Sequence, residues 1–241
     1  MKKAIFLDMD ETLCATSQAD VVAREKLQQW LGEQYPSLDV ALFTERYLQG
    51  VYKNLNAEFP ELVALLPDEH AFRCRLIQTL LAEQDIVVEL AQAQQVQHYF
   101  DQARMAAFDF YPGVKTLLGE LRQHYTLVVI TNGPVFSQHP KLAAVAMEQW
   151  VDHIIVGGEE PEEKPAASIF NKALALAGCE AMQAIHVGDS LSSDIVGANQ
   201  MGITSVWVRQ PDVTPTAENA PDFTVNHLTE LPQILAEWAE K

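Results

Sequence analysis

The stretch Ala4-Ile5-Phe6-Leu7-Asp8-Met9-Asp10-Glu11-Thr12-Leu13 decides the fold of this chain. Four apolar residues end abruptly in two carboxylates one residue apart. A short apolar run bounded by polar residues reads as a buried strand. In a parallel sheet, ligands bind just beyond the C-terminal strand ends. Side chains alternate along a strand, so Asp8 and Asp10 are expected to leave on one side and Met9 on the other. Two carboxylates so close repel each other unless a cation or a shared proton lies between them. The pair therefore implies a metal site or an acid/base pair.

Outward from that stretch the texture changes twice. From Ser17 to Arg104 no β-branched strand run stands out; Leu, Ala, Gln and Glu dominate at helical spacing. Val21, Val22, Leu27, Trp30 and Leu31 fit one helix face, Leu76, Ile77, Leu80 and Leu81 a second, and Val96, Tyr99 and Phe100 a third. Pro36, Pro60 and Pro67 punctuate this all-helical block. Beyond Tyr111-Pro112-Gly113 the chain alternates helical stretches with β-branched runs. The runs are Leu127–Ile130, Ile154–Val156, Ala184–Val187 and Ser205–Val208, and the helical stretches include 114–122 and 168–177. Alternation of this kind predicts an α/β fold with a doubly wound parallel sheet. The helical block is inserted directly after the first strand. Thr214 to Ala220 reads as a polar loop.

Of 241 residues, 48% are hydrophobic and 20% charged, as in a soluble globular protein with a substantial core. The formal net charge of -17 opposes binding to nucleic acid polymers and to anionic membranes. An anionic substrate then needs local positive charge. Cys14, Cys74 and Cys179 have no metal-ligand spacing, which argues against a disulfide framework or a zinc site and fits a reducing cytosol. Asp8 ends the first apolar stretch too soon for a signal core or a membrane span.

Four strand ends carry polar residues that should open on one edge of the sheet. They are Asp8 and Asp10; Thr131-Asn132-Gly133; Lys164-Pro165; and Gly188-Asp189-Ser190 with Asp194. The chemistry of the set is coherent. A carboxylate can attack phosphorus and split one difficult step into two, and a second can protonate the leaving alkoxide and then activate water. Lysine supplies compact positive charge, and oxygen ligands suit Mg2+. Glu159–Glu163 reads as a solvated loop, and His186, Trp30, Trp150, Trp207, Trp238 and Cys14 read as packing residues.

With DMDET (8–12), ITNG (130–133), EEKP (162–165) and GDSLSSD (188–194) in this order, the chain resembles the haloacid dehalogenase-like hydrolase superfamily and its aspartate-nucleophile phosphatases. The resemblance covers nearly the whole chain. It implies a Rossmann-like core of residues 1–15 and 107–241, with an all-helical cap, residues 16–106, working as a lid on hinges near 15–17 and 106–112. It implies Asp8 as nucleophile and Asp10 as general acid/base. Thr131 and Lys164 would bind the transferring phosphoryl group, with backbone N–H groups near Asn132 and Gly133 cradling its oxygens. Mg2+ would be held by Asp8, Asp10 (through its main-chain carbonyl) and Asp189, with Asp194 a further ligand or a residue behind the ligands. The implied activity is Mg2+-dependent hydrolysis of a small phosphorylated metabolite through an aspartyl-phosphate. Dehalogenases of the superfamily lack the second aspartate, so Asp10 favours phosphate ester hydrolysis. Val156–Phe170 resembles the third-motif region of phosphatases acting on N-acylneuraminate 9-phosphate. Pyrimidine 5'-nucleotidases and flavin mononucleotide phosphatases are the alternatives within the enzymes, and a non-catalytic phosphate-ligand binding protein the alternative outside them. Cap arginines Arg24, Arg46, Arg73, Arg75 and Arg104 are the candidates for substrate contact.

Overall fold

A computed structural model describes residues 2–52, 54 and 57–240. In chain order the elements are β1 (Ala4–Leu7), α1 (Thr16–Gln34), α2 (Val40–Val51), α3 (Pro60–Val63), α4 (Glu69–Ala82), α5 (Leu90–Ala107) and α6 (Val114–Leu121). There follow β2 (Thr126–Thr131), α7 (Val135–Ala144), β3 (His153–Val156), α8 (Ala167–Ala177), β4 (Ala184–Gly188), α9 (Val196–Gln200), β5 (Thr204–Val208), β6 (Phe223–Val225) and α10 (Leu231–Glu240). The chain divides into two compact units, Met1–Ser17 with Phe108–Lys241, and Gln18–Ala107.

The first unit is built on a six-stranded sheet of order β3-β2-β1-β4-β5-β6, parallel throughout. Its strands are covered on both faces, which is why they read as unbroken apolar runs rather than alternating ones. All four residues of β1 are buried. Phe6, Val128, Ile130 and Ile155 pack with Ile169, Phe170 and Ala173 of α8 into one core. Ala4 lies opposite Thr126 on one side and Ala184 on the other. The strand order thus reverses between β1 and β4, and the position beyond the carboxyl ends at such a reversal is the usual ligand site in these sheets. β6 was absent from the sequence expectation. Three residues, with Thr224 exposed, are too few to show a period.

The segments leading out of the sheet after β1 and back to it before α6 are joined. Tyr111 N–H donates to Leu13 O (2.9 Å) and Ala15 N–H to Asp109 O (3.1 Å). The Glu11 carboxylate adds side-chain ties, accepting from the Ser17 amide (2.6 Å) and hydroxyl (2.7 Å) and from the Tyr111 hydroxyl (2.7 Å).

The second unit is helical and encloses its own core, including Leu27, Leu31, Phe43, Tyr47, Leu76, Ile77, Leu80, Leu81, Val96 and Phe100. One expected helix face is corrected. Val21 and Val22 are exposed, and α1 buries Ala19, Ala23, Leu27 and Leu31. The small alanines, spaced four apart, define the stripe that the larger valines obscured. Three candidate arginines are also engaged inside this unit. Arg73 donates to Glu69 (2.8 Å) and Asp101 (3.1 Å), Arg104 pairs with Asp20 (2.5 Å), and Arg46 pairs with Glu58 and Glu83. Arg73 and Arg104 are buried, where an ion pair compensates the charge. Arg75 is exposed and Arg24 half-buried. No helix among the described residues is long and apolar enough to cross a membrane.

Candidate active site

Lys164 is the centre of the strand-end cluster. It follows β3 on the connection to α8, through a cis peptide to Pro165, and its side chain is 1% exposed. Its ammonium donates to Asp8 Oδ1 (2.6 Å), Ile130 O (2.6 Å) and Asp194 Oδ1 (2.7 Å). Three donors meet three acceptors, so no hydrogen of the charge is left unpaired. Burial acts to lower its pKa, but Asp194 and Asp8 overcome that and raise it.

Asp194 is held from every side. Oδ1 also pairs with His186 Nε2 (3.0 Å), and Oδ2 accepts from the Ser190 amide (3.0 Å). Burial alone would raise its pKa; Lys164 and His186 outweigh that and lower it. A π-type turn, Leu191–Ile195, aims this carboxylate back under the sheet edge. Gly188 makes room for it, since a Cβ there would lie 2.2 Å from Asp194 Cγ. His186 is packed as expected, edge-on to Phe170 (5.2 Å between centroids), and it also orients Asp194.

Asp8, Asp189 and Asp194 each place an oxygen within 4.8 Å of the others. The electrostatics show what this cluster lacks. Burial raises the Asp8 pKa well above its usual value; Lys164 opposes, and Asp194, Asp189 and Asp10 add to the rise. Asp189 is pushed up to about 7 by burial and Asp194, against Lys164. Carboxylates gathered with too little positive charge suit a hard divalent cation, whose ligands are oxygens. Asp194 already accepts three hydrogen bonds, so Asp8 and Asp189 are the better-fitting ligands. Trp207 Nε1 donates to Asp189 O (2.8 Å) and anchors that residue's backbone. Asp189 holds its proton in the folded state where the unfolded chain, near 3.8, has lost it. Its contribution to stability is therefore full below about pH 4 and lost as pH rises through about 7. A cation must displace that proton. MgCl2 is expected to raise the thermal midpoint more at about pH 7.5 than at about pH 5.5, and Asp189→Asn to remove the difference. Equal shifts at both pH values would refute the assignment.

Asp10 is placed differently. β1 ends at Leu7, so strand alternation does not govern the pair, and Glu11 turns the chain through the left-handed region (φ 57°). The Asp10 carboxylate accepts from Lys141 Nζ at both oxygens (2.9 and 3.0 Å), from Gln138 Nε2 (2.8 Å) and from Thr16 Oγ1 (2.5 Å). Burial acts to raise its pKa; Lys141, Gln138 and Thr16 together lower it. Its carboxylate is not among the oxygens of the cation cluster.

The remaining strand-end residues take mixed positions. Thr131 is buried, and its Oγ1 accepts from Gln138 Nε2 (2.6 Å). Gln138 Nε2 also contacts Asn132 O (2.6 Å), so two hydrogens serve three acceptors. Asn132 and Gly133, expected near phosphate, both have partners within the protein. The Asn132 side chain bonds the Lys164 main chain at both ends, donating to its O (2.8 Å) and accepting from its N–H (2.9 Å). The Gly133 amide, at φ 109°, donates to Glu163 Oε1 (2.9 Å). Glu163 is thus a structural partner as well as a solvated residue. The sequence reading missed Lys141, Gln138 and Thr16. The available signal was polarity on the wrong face: α7 buries Gln138 and Lys141 and exposes Val135 and Phe136.

A profile of the family described as haloacid dehalogenase-like hydrolase matches residues 2–202. N-acylneuraminate-9-phosphatase of Rattus norvegicus is 39% identical over 124 residues, 51% of this chain and 50% of that protein, so the chain spans about half the length of that relative. Glyceraldehyde 3-phosphate phosphatase of Methanopyrus kandleri is 28% identical over 245 residues, covering 100% of both chains. A solved 2-haloacid dehalogenase from Pseudomonas syringae pv. Tomato DC3000 superposes with a TM-score of 0.69 at 28% identity, over 99% of this chain and 100% of that one. With the profile extending from β1 past β4, the chain belongs to the haloacid dehalogenase-like hydrolase family.

Proposed function

We propose that the protein is a Mg2+-dependent phosphomonoester hydrolase in which Asp8 is the nucleophile and Asp10 the general acid/base. The observation that carries this reading is the division of labour between the two carboxylates. Asp8 lies buried against the Lys164 ammonium at 2.6 Å, whereas Asp10 is held apart by Lys141, Gln138 and Thr16. A halide leaves without a proton; an alkoxide needs one. A second, separately held carboxylate therefore has a use in ester cleavage that carbon–halogen cleavage lacks. The same point weighs against a phosphate-binding protein without catalysis.

In the first half-reaction Asp10 enters in its acid form, having taken a proton from solvent against the pull of Lys141; an Asp8 oxygen attacks phosphorus, the bond to the ester oxygen breaks, and Asp10 gives that oxygen its proton. In the second, Asp10 takes a proton from water as the water attacks the acyl phosphate. The bond between phosphorus and Asp8 breaks, orthophosphate leaves, and the Asp8 carboxylate and the acid form of Asp10 are restored. Lys164 steadies Asp8 and is placed to neutralise a phosphoryl oxygen. The Thr131 hydroxyl donates over a long 3.5 Å to Asn132 O, and can turn its hydrogen to phosphate. Asp8, Asp189 and the Asp10 main-chain carbonyl would hold Mg2+, which would supply charge neutralisation on the phosphoryl group.

The helical unit serves as the family's cap and sets substrate choice, with Arg24 and Arg75 the candidate arginines left outside the ion pairs described above. The rat relative's name and the 156–170 stretch favour N-acylneuraminate 9-phosphate as substrate. Three free cysteines, two of them buried, fit a cytoplasmic protein. Phosphate release with Mg2+ across N-acylneuraminate 9-phosphate, glyceraldehyde 3-phosphate, pyrimidine nucleoside monophosphates and flavin mononucleotide tests the reading. The highest kcat/KM is expected for the first. A preference for nucleotides or flavin moves the protein to the alternatives, and release of halide from a 2-haloacid without phosphatase activity overturns the reading.

A further inference from the structure

Helix α7 buries two polar side chains beside Leu142. It exposes Val135 and Phe136 (37% and 46%) and buries Gln138 and Lys141 (2% and 5%). Lysine is almost never fully buried without a partner. Lys141 has one on a different element, with Nζ straddling the Asp10 carboxylate at 2.9 and 3.0 Å. Gln138 lies three residues earlier and so on the same helix face. It reaches Asp10 Oδ2 (2.8 Å) and Thr131 Oγ1 (2.6 Å) from one nitrogen. One helix thus holds the side chain placed to move the proton and the hydroxyl placed to meet phosphate.

We propose that Lys141 is the positioning residue for the Asp10 carboxylate, and that Gln138 couples this placement to the Thr131 hydroxyl. The inference rests on the reading of Asp10 as the proton-transferring group. Asp10 lies on a loop, beyond the end of β1 and before a left-handed residue, and strand pairing leaves its side-chain torsions unspecified. A bridging ammonium on both oxygens, with an amide on one of them, fixes the carboxylate plane. General acid catalysis requires the acid oxygen within hydrogen-bond reach of the leaving oxygen. Lys141 gives no proton to the substrate; the proton leaves Asp10 and returns to it from the attacking water. The competing account is an ion pair that merely anchors α7 to the loop.

The leaving group separates the two. p-Nitrophenolate leaves without protonation, phenolate needs it more, and an alkoxide most. Full-length wild type, Asp10→Asn, Lys141→Met, Lys141→Arg and Gln138→Met should be compared on p-nitrophenyl phosphate, phenyl phosphate and glycerol 2-phosphate with Mg2+. Lys141→Met is expected to lower kcat/KM, which reports the first half-reaction alone, by about 100-fold on glycerol 2-phosphate and by no more than about threefold on p-nitrophenyl phosphate, while the second half-reaction slows equally for all three esters. Lys141→Arg should recover most of the alkyl ester rate, and Gln138→Met should show the same ordering more weakly. If Lys141→Met does not fold, the arginine and Gln138 variants carry the comparison. Equal losses of kcat/KM on all three esters would overturn the positioning role while Asp10→Asn still discriminates among them in kcat/KM. If Asp10→Asn does not discriminate, or wild type releases no phosphate from any ester, the Asp10 reading itself falls and the inference with it.

Discussion

Asp8→Asn is expected to lower phosphate release by on the order of 10⁴-fold or more while leaving the protein folded. The amide keeps the volume and an oxygen that can still accept from Lys164 Nζ, so the packing around β1 is undisturbed. It is a very weak nucleophile toward phosphorus, so the step that makes the acyl phosphate is lost rather than slowed. Asp8 is buried, and its carboxylate is raised in pKa chiefly by that burial. Replacing it with a neutral group removes an ion that its surroundings disfavour, and the thermal midpoint should not fall by more than a few degrees. Phosphate-release assays with Mg2+, alongside circular dichroism melts, check both parts. A variant with near wild-type turnover would remove Asp8 from the chemistry. A variant that is inactive because it is unfolded would leave the nucleophile role to be tested by trapping the acyl phosphate on wild type.

Lys164→Met should have the largest combined effect. The ammonium is the one positive charge bonded to both Asp8 and Asp194 among the described residues, and it also satisfies the Ile130 carbonyl. Removing one member of a buried ion set leaves uncompensated charge, which costs about 3–5 kcal/mol. The sign with pH is fixed by the same argument. Without Lys164 both carboxylates move toward protonation, so the destabilisation should shrink as pH falls. Adding Asp8→Asn to Lys164→Met should recover part of the loss, as expected for residues in direct contact. Urea titrations of the two single variants and the double variant measure this coupling. Strict additivity would show that Asp8 and Lys164 do not act as a unit.

Much of this arrangement was legible because parallel strands announce themselves. Runs such as Ala4–Leu7 and Leu127–Ile130 are apolar on both faces and end in polar residues, so strand, sheet type and edge follow together. The gathering of Asp8, Lys164, Asp189 and Asp194 follows from that edge. What stayed hidden depended on direction rather than identity. Nothing in the sequence shows that the Asn132 side-chain amide is matched to the Lys164 backbone. Gly133 offers an N–H that Glu163, from a run resembling plain solvated acid, takes up. Lys141 is one lysine on one helix, and only the packing of α7 reveals its aim. Val21 and Val22 misled for the opposite reason, because two exposed valines imitate half of a buried stripe.

The position of β1 has a consequence for how the chain is made. Its partners, starting at Thr126 and Ala184, lie far along the sequence. The helical unit, Gln18–Ala107, is by contrast one continuous stretch with its own core. Contacts distant in sequence form late, since a long loop must close before they return any stabilisation. On the ribosome the helical unit can close first. The strand that leads to Asp8 and Asp10 is synthesised before the helical unit yet has to wait for β2 and β4 before its edges are covered. Until then Ala4-Ile5-Phe6-Leu7 is a short apolar strand with two open edges, the kind of surface that chaperones bind and that aggregates when they are absent.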